Sequence, residues 1–199
     1  MARITIVTPT GTGTRTGNLH TAQRYARFLR GAGHRVLVTL QWDGKPCDLL
    51  IGLHAKRSSA SVNSYKNENP SRPVIVVLTG TDLYRDLPAS AEARRSLDLA
   101  DRLIVLQEDA KRRLKNRLRK KTRVVYQSAD PRLVHTPPRD RFRVAVVGHL
   151  RDEKDPFRTV RAISFLEEEA LEVIQLGADR KSTRLNSSHI QKSRMPSSA

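Results

Sequence analysis

Six short aliphatic runs, separated by stretches long enough for a helix, set the rhythm of the chain. They are Ile4–Thr8, Arg35–Leu40, Asp48–Leu53, Pro73–Leu78, Arg102–Leu106 and Arg123–Tyr126. Several are nearly unbroken Val, Ile and Leu, with none of the polar alternation of a half-solvated strand. Such runs belong to strands buried on both faces of a parallel sheet. Between the first two, Ala22, Tyr25, Ala26 and Leu29 form an apolar stripe at helical spacing, with Asn18 as the expected cap and Gly31 and Gly33 closing the helix. The alternation predicts a doubly wound α/β domain, Rossmann-like in build, over residues 1–135.

Residues 136–140 read as a linker, because Pro131, Pro137 and Pro138 interrupt the rhythm nearby. The cycle then restarts with a strand at Phe142–Val147, a loop at Gly148–Asp155, a helix at Pro156–Glu168 and a strand at Leu171–Leu176. One β-α-β unit of a second domain of the same class is expected over residues 141–179. From Arg180 the chain carries five cations, no acid and no core-forming pattern, so residues 180–199 are expected to be a disordered, non-native tail.

The net charge of +17 is uneven. Nine cations lie between Lys111 and Arg123, with Glu108 and Asp109 ahead of them. One reading is a nucleic-acid surface. The other, preferred here, is a solvated helix whose charges follow its dipole, since no aromatic side chains interleave for base stacking. Cys47 is the sole cysteine, which leaves no intrachain disulfide, and no His, Cys or carboxylate spacing suggests a metal. No apolar run approaches the ~20 residues of a membrane span. A cytoplasmic protein is expected.

In parallel α/β sheets ligands gather at the carboxyl ends of strands. The first strand is followed there by a glycine-rich loop, Gly11 to Asn18, containing Arg15 and Gly17. It matches neither the dinucleotide fingerprint, being one residue too long, nor a Walker A loop, having Asn18 where Lys belongs. The third strand is followed by His54, Ala55, Lys56 and Arg57, and the fourth by Thr79, Gly80, Thr81 and Asp82. Polar groups thus collect at one end of one sheet and predict a site for a small anion. For His54 and Asp82 the competing reading is structural, a satisfied loop histidine and a turn residue.

The second domain offers V-G-H-L-R-D-E-K-D at Val147–Asp155, a glycine at a strand end followed by cations at a helix start. With two Rossmann-like domains and a glycine-rich first loop, this stretch resembles GT-B glycosyltransferases of the family-4 type. The segments T-R-T-G-N (Thr14–Asn18), W-D-G-K-P-C-D-L-L (Trp42–Leu50), L-H-A-K-R-S (Leu53–Ser58), L-T-G-T-D-L-Y-R-D-L (Leu78–Leu87) and V-V-Y-Q-S-A (Val124–Ala129) resemble one subgroup in particular, the selenosugar synthases of selenoneine biosynthesis. The similarity runs from about Ile4 to Ala178.

That resemblance implies transfer of a sugar from a UDP-sugar donor to selenophosphate, with no further cofactor, in a cleft between the domains. It implies acceptor contacts from Arg15, Gly17, Asn18, His54, Lys56, Arg57, Thr79, Gly80, Thr81 and Asp82. It implies a donor diphosphate held by Gly148 and Lys154. His149 stands where the family has Arg, and Arg151 is expected to supply that cation. The family's Glu-x7-Glu segment has no counterpart before Arg180, which implies an inactive, truncated chain. The alternatives are a family-4-like enzyme with another acceptor, and a basic nucleic-acid-binding protein.

Overall fold

The computed structural model describes residues 1–11, 16–128, 136, 139–148, 150, 155–166, 171–178 and 185–191. The chain divides into two units, Met1–Ala129 and Asp130–Ala199.

The first unit is built on six parallel strands, β1 (Arg3–Val7), β2 (Arg35–Thr39), β3 (Leu49–Leu53), β4 (Val74–Val77), β5 (Arg102–Val105) and β6 (Thr122–Val124), in the spatial order β2-β1-β3-β4-β5-β6. Side chains alternate between faces with period two, and here both sides are core. Ile4, Ile6, Ile51, Leu53 and Val77 pack with Ala22 and Ala26 of α1 (Gly17–Gly31). Val7, Leu50, Val74, Val76, Leu103 and Val105 face the other way. There they meet α2 (Ser59–Glu68), α4 (Ala91–Leu99), α5 (Glu108–Arg112) and α6 (Asn116–Lys120) through Val62, Tyr65, Leu97, Ala110 and Leu118. The expected three-layer α/β arrangement is therefore present. Burial on both faces is what forbids polar alternation in these strands.

Two local expectations are corrected. The cap of α1 is Thr16, whose hydroxyl accepts from the Leu19 N–H, while Asn18 lies inside the first turn. Threonine in extended backbone serves the cap equally well. The basic run is two short helices, α5 and α6, because Lys115 is extended and breaks the ladder. Arg119 Nε donates to the Leu114 carbonyl that the break frees, at 2.7 Å, so the interruption is bonded within the fold. Asp82–Asp86 forms a π-helix, followed directly by the single turn α3 (Leu87–Ala89).

The W-D-G-K-P-C-D segment turns out to be architecture. It links parallel β2 and β3 without a helix, turning at Gly44, where φ is +82°. Trp42 Nε1 donates to the Lys45 carbonyl at 2.9 Å, and its ring meets Tyr65 edge-on at 5.2 Å. The Tyr65 hydroxyl donates to the Cys47 carbonyl at 3.1 Å, to which Arg72 also donates. Buried aromatic and main-chain bonds thus replace the usual crossover helix.

In the second unit, β7 (Phe142–Val147) pairs parallel with β8 (Leu171–Ala178), and α7 (Arg158–Ile163) lies between them in sequence. The helix is shorter than the expected Pro156–Glu168, with Pro156 and Phe157 in the turn before it. Ile163, Leu171 and Val173 form a small core with Val144, Val146 and Val160. Part of the expected tail, residues 180–199, is described. Leu185–Gln191 forms β9, antiparallel to β8, where the open edge of β8 supplies main-chain donors and acceptors.

Candidate functional site

The strand order places the reversal of direction at β1 and β3, because the chain goes from β1 to β2 on one side and from β3 to β6 on the other. In open α/β sheets the ligand crevice falls outside the carboxyl ends of the strands at such a point. The loops bounding it here follow β1 and β3, and the loop after β4 is the next neighbour.

Asp82 organises these loops. It is fully buried, and its carboxylate accepts from the N–H groups of Thr79 (2.9 Å), Gly80 (2.8 Å), Leu83 (3.1 Å) and, across the strands, Ala55 (3.0 Å). One side chain thereby ties the β4 loop to the β3 loop. Gly80, at φ +126°, has a conformation that a side chain rarely adopts. The structural reading of Asp82 is the one the geometry supports, because its oxygens are taken up by main-chain donors.

His54 stands at the end of β3 in the left-handed region, φ +74°, and is 2% exposed. Non-glycine residues pay a steric cost there, with His among the more tolerant. Main-chain bonds hold it in place: its N–H donates to the Val77 carbonyl at 2.9 Å and its carbonyl accepts from Ser58 N–H at 3.0 Å. Nδ1 accepts from the Arg57 N–H at 3.4 Å, which assigns the ring proton to Nε2. Nε2 faces Thr81 Oγ1 at 3.3 Å and Asp86 Oδ2 at 3.5 Å. Burial lowers the His54 pKa, assisted by Arg57 and opposed by Asp82 and Asp86. The resemblance counts His54 among the acceptor contacts, and the competing reading makes it a structural loop histidine. In the fold it is a buried neutral ring that braces the β3 loop against the π-helix.

Cationic character comes from the next two residues. Lys56 and Arg57 are exposed, and neither side chain forms an ion pair among the described residues. They precede α2, whose N-terminus has no side-chain cap. Ser58 is turned away, its hydroxyl donating to the Leu53 carbonyl at 2.6 Å. Gly52 permits this packing, since a Cβ there would lie 3.0 Å from Ser58 Cβ. An uncapped helix start beside two cations is suited to an anion.

The β1 loop is drawn together at its base by a hydrogen bond between the Thr10 and Thr16 hydroxyls. Arg15 lies outside the described residues. Gly17 opens α1, and an added Cβ would meet nothing within 4 Å, so crowding does not require glycine there. Asn18 is half-buried in the first turn of α1. Beyond β6, Gln127 Nε2 donates to Thr21 Oγ1 at 2.9 Å and Arg24 donates to Ser128 Oγ at 2.8 Å, bringing that segment onto α1. In the second unit Gly148 follows β7, its N–H donating to the Leu176 carbonyl at 2.9 Å. Arg151 and Lys154 lie outside the described residues.

Ser58, Asp86 and the π-helix escaped the sequence reading. The four-residue spacing of Asp82 and Asp86, which puts both at His54, is the one signal that points to them. Among the described residues there is no metal-binding group of three His, Cys or acidic side chains, and no helix long and apolar enough to cross a membrane. No family model matches the chain, and no curated protein matches it. The first unit is an α/β domain with a six-stranded parallel sheet, an arrangement compatible with a Rossmann-like fold.

Proposed function

We propose that this protein is a cytoplasmic glycosyltransferase of GT-B type, similar to the family-4 enzymes, and that it joins selenophosphate to a sugar from a UDP-sugar. The observation that carries the proposal is the anion-suited end of the first sheet: Lys56 and Arg57 beside the uncapped start of α2, with Thr79, Gly80 and Thr81 on the neighbouring loop. His54 and Asp82 are positioning residues in this reading, since both are buried and bonded to the loops they join.

The chemistry fits a site without a strong base. The selenium of selenophosphate already carries negative charge, so its lone pair forms the Se–C bond at the anomeric carbon directly. The C–O bond to UDP breaks in the same step, and its electron pair leaves on the diphosphate. What the protein must supply is position and charge. A neutral His54 is consistent with this, because no proton has to be removed from the acceptor. On the donor side the proposal assigns Gly148, Arg151 and Lys154 to the diphosphate, following the resemblance.

Calorimetric titration of the protein with selenophosphate, under anaerobic conditions, tests the acceptor assignment. Removing one charge-assisted contact costs on the order of 2–3 kcal/mol. Arg57→Ala is therefore expected to weaken binding by roughly 30- to 150-fold. Arg119→Ala, in the basic run, is expected to leave it unchanged. The opposite pattern refutes the acceptor assignment.

A further inference from the structure

The first unit has a concavity away from the strand ends just described. It encloses 670 Å³ between the π-helix, α3, α4 and the α5–α6 segment. Leu83, Leu87, Leu97, Leu114 and Leu118 contribute its apolar lining. Arg94, Arg113, Lys115 and Arg117 line it too, with Asp98 the one acid among the lining residues.

We propose that this groove docks an acidic, amphipathic peptide segment of a partner protein. Charge complementarity over an apolar lining selects this partner. Arg117 is paired with Asp98 at 2.9 Å and Arg113 with Asp109 at 2.8 Å, while Lys115 is exposed and has no ion pair among the described residues. The stretch from Glu108 to Arg123 carries nine cations against two acids, so the local field favours carboxylates even with these pairs formed. A segment with Leu-like side chains on one side and Glu or Asp on the other satisfies both surfaces, as a helix does in a groove.

Other anionic partners fit less well. A concave lining does not suit a flat lipid surface. Base stacking needs an open aromatic face, and the Tyr84 ring is covered by the Arg113 guanidinium at 5.1 Å. The groove also shares a wall with the strand-end site. Leu83 and Tyr84 of the π-helix line it, while Asp82 and Asp86 of the same element face the β3 loop at Ala55 and His54. π-helical turns recur at functional positions, and this one stands between the groove and the strand-end loops. The inference does not rest on the glycosyltransferase reading.

The test uses a short fluorescein-labelled peptide of leucine and glutamate at helical spacing, with its leucine–lysine counterpart as control, read by anisotropy. The acidic peptide is expected to bind, more weakly as salt is raised. Lys115→Glu combined with Arg117→Glu is expected to weaken it at least about tenfold, two attractions having become repulsions. Arg35→Glu combined with Arg161→Glu, an equal charge change elsewhere, is expected to have little effect. Hydrogen exchange of Leu83–Leu87 is expected to slow on binding. Should the double variant lose its near-ultraviolet Trp42 signal, Lys115→Gln gives the reading instead, with about a threefold loss expected. Equal binding of the lysine peptide overturns the proposal. So does undiminished binding by the groove variants, or a preference for phosphatidylglycerol vesicles or poly(U) over the acidic peptide.

Discussion

Replacing Asp82 tests how the strand-end loops are held. In Asp82→Ala the amide N–H groups of Ala55, Thr79 and Gly80 lose their acceptor, while the Leu83 N–H keeps the Gly80 carbonyl at 2.9 Å. Thr79 and Gly80 are half-exposed and their N–H groups can rehydrate, whereas Ala55 is buried. One orphaned buried donor at about 1–3 kcal/mol and two rehydrated bonds at about 0.5–1 kcal/mol each set the scale, and removal of the buried carboxylate returns part of its own desolvation cost. The expected loss is about 3 kcal/mol, a sizeable share of the 5–15 kcal/mol typical of a domain. Asp82→Asn should cost about 2 kcal/mol. Its oxygen can keep the Thr79, Gly80 and Leu83 bonds, but its amide then faces the Ala55 N–H. The assay is urea unfolding followed by the fluorescence of Trp42, the only tryptophan, which lies in the core of the first unit. If both variants fall within about 0.5 kcal/mol of the parent, or if Asn costs more than Ala, the account of Asp82 as the clamp is wrong.

Further outcomes follow from the same geometry. An unfolded His54 titrates at its ordinary value of 6.5, while burial lowers it in the fold. Below pH 6.5 the unfolded chain therefore binds a proton that the fold does not. Stability should be fully present above 6.5 and fall as pH drops from there towards the folded value, and His54→Asn should flatten that segment of a stability–pH curve. Gly52→Ala should destabilise the first unit by about 1–3 kcal/mol in urea titrations, because the new methyl meets Ser58 Cβ at 3.0 Å and Val62 Cγ2 at 3.3 Å. Tyr65→Phe should cost about 1 kcal/mol by the same method, since Arg72 still bonds the Cys47 carbonyl left by the lost hydroxyl.

Much of the sheet was legible in the residues themselves. Unbroken Val, Ile and Leu at β3, β4 and β5 mean burial on both faces, and burial on both faces means helices above and below. The sheet end that carries the candidate site was legible, because the polar groups after β1, β3 and β4 share it. Individual roles were not. Whether a histidine is a surface cation or a buried neutral brace depends on packing between β3 and the π-helix, and no local pattern encodes that contact. The π-helix was hidden for a related reason. D-L-Y-R-D has no periodicity that separates a wide turn from an α-helix, and the geometry comes with Asp82 accepting main-chain bonds at the element's start. The break at Lys115 was equally hidden, since Ala110, Leu114 and Leu118 keep a four-residue spacing through it.

The central claim is that an anionic acceptor sits at the β3 and β4 loops. Chemical-shift mapping of the 15N-labelled protein with selenophosphate tests it most directly. The account predicts the largest amide shifts at Lys56–Ser61 and Thr79–Thr81, with little change between Lys111 and Arg123. Shifts concentrated in that basic run, with the strand-end loops unmoved, would contradict it.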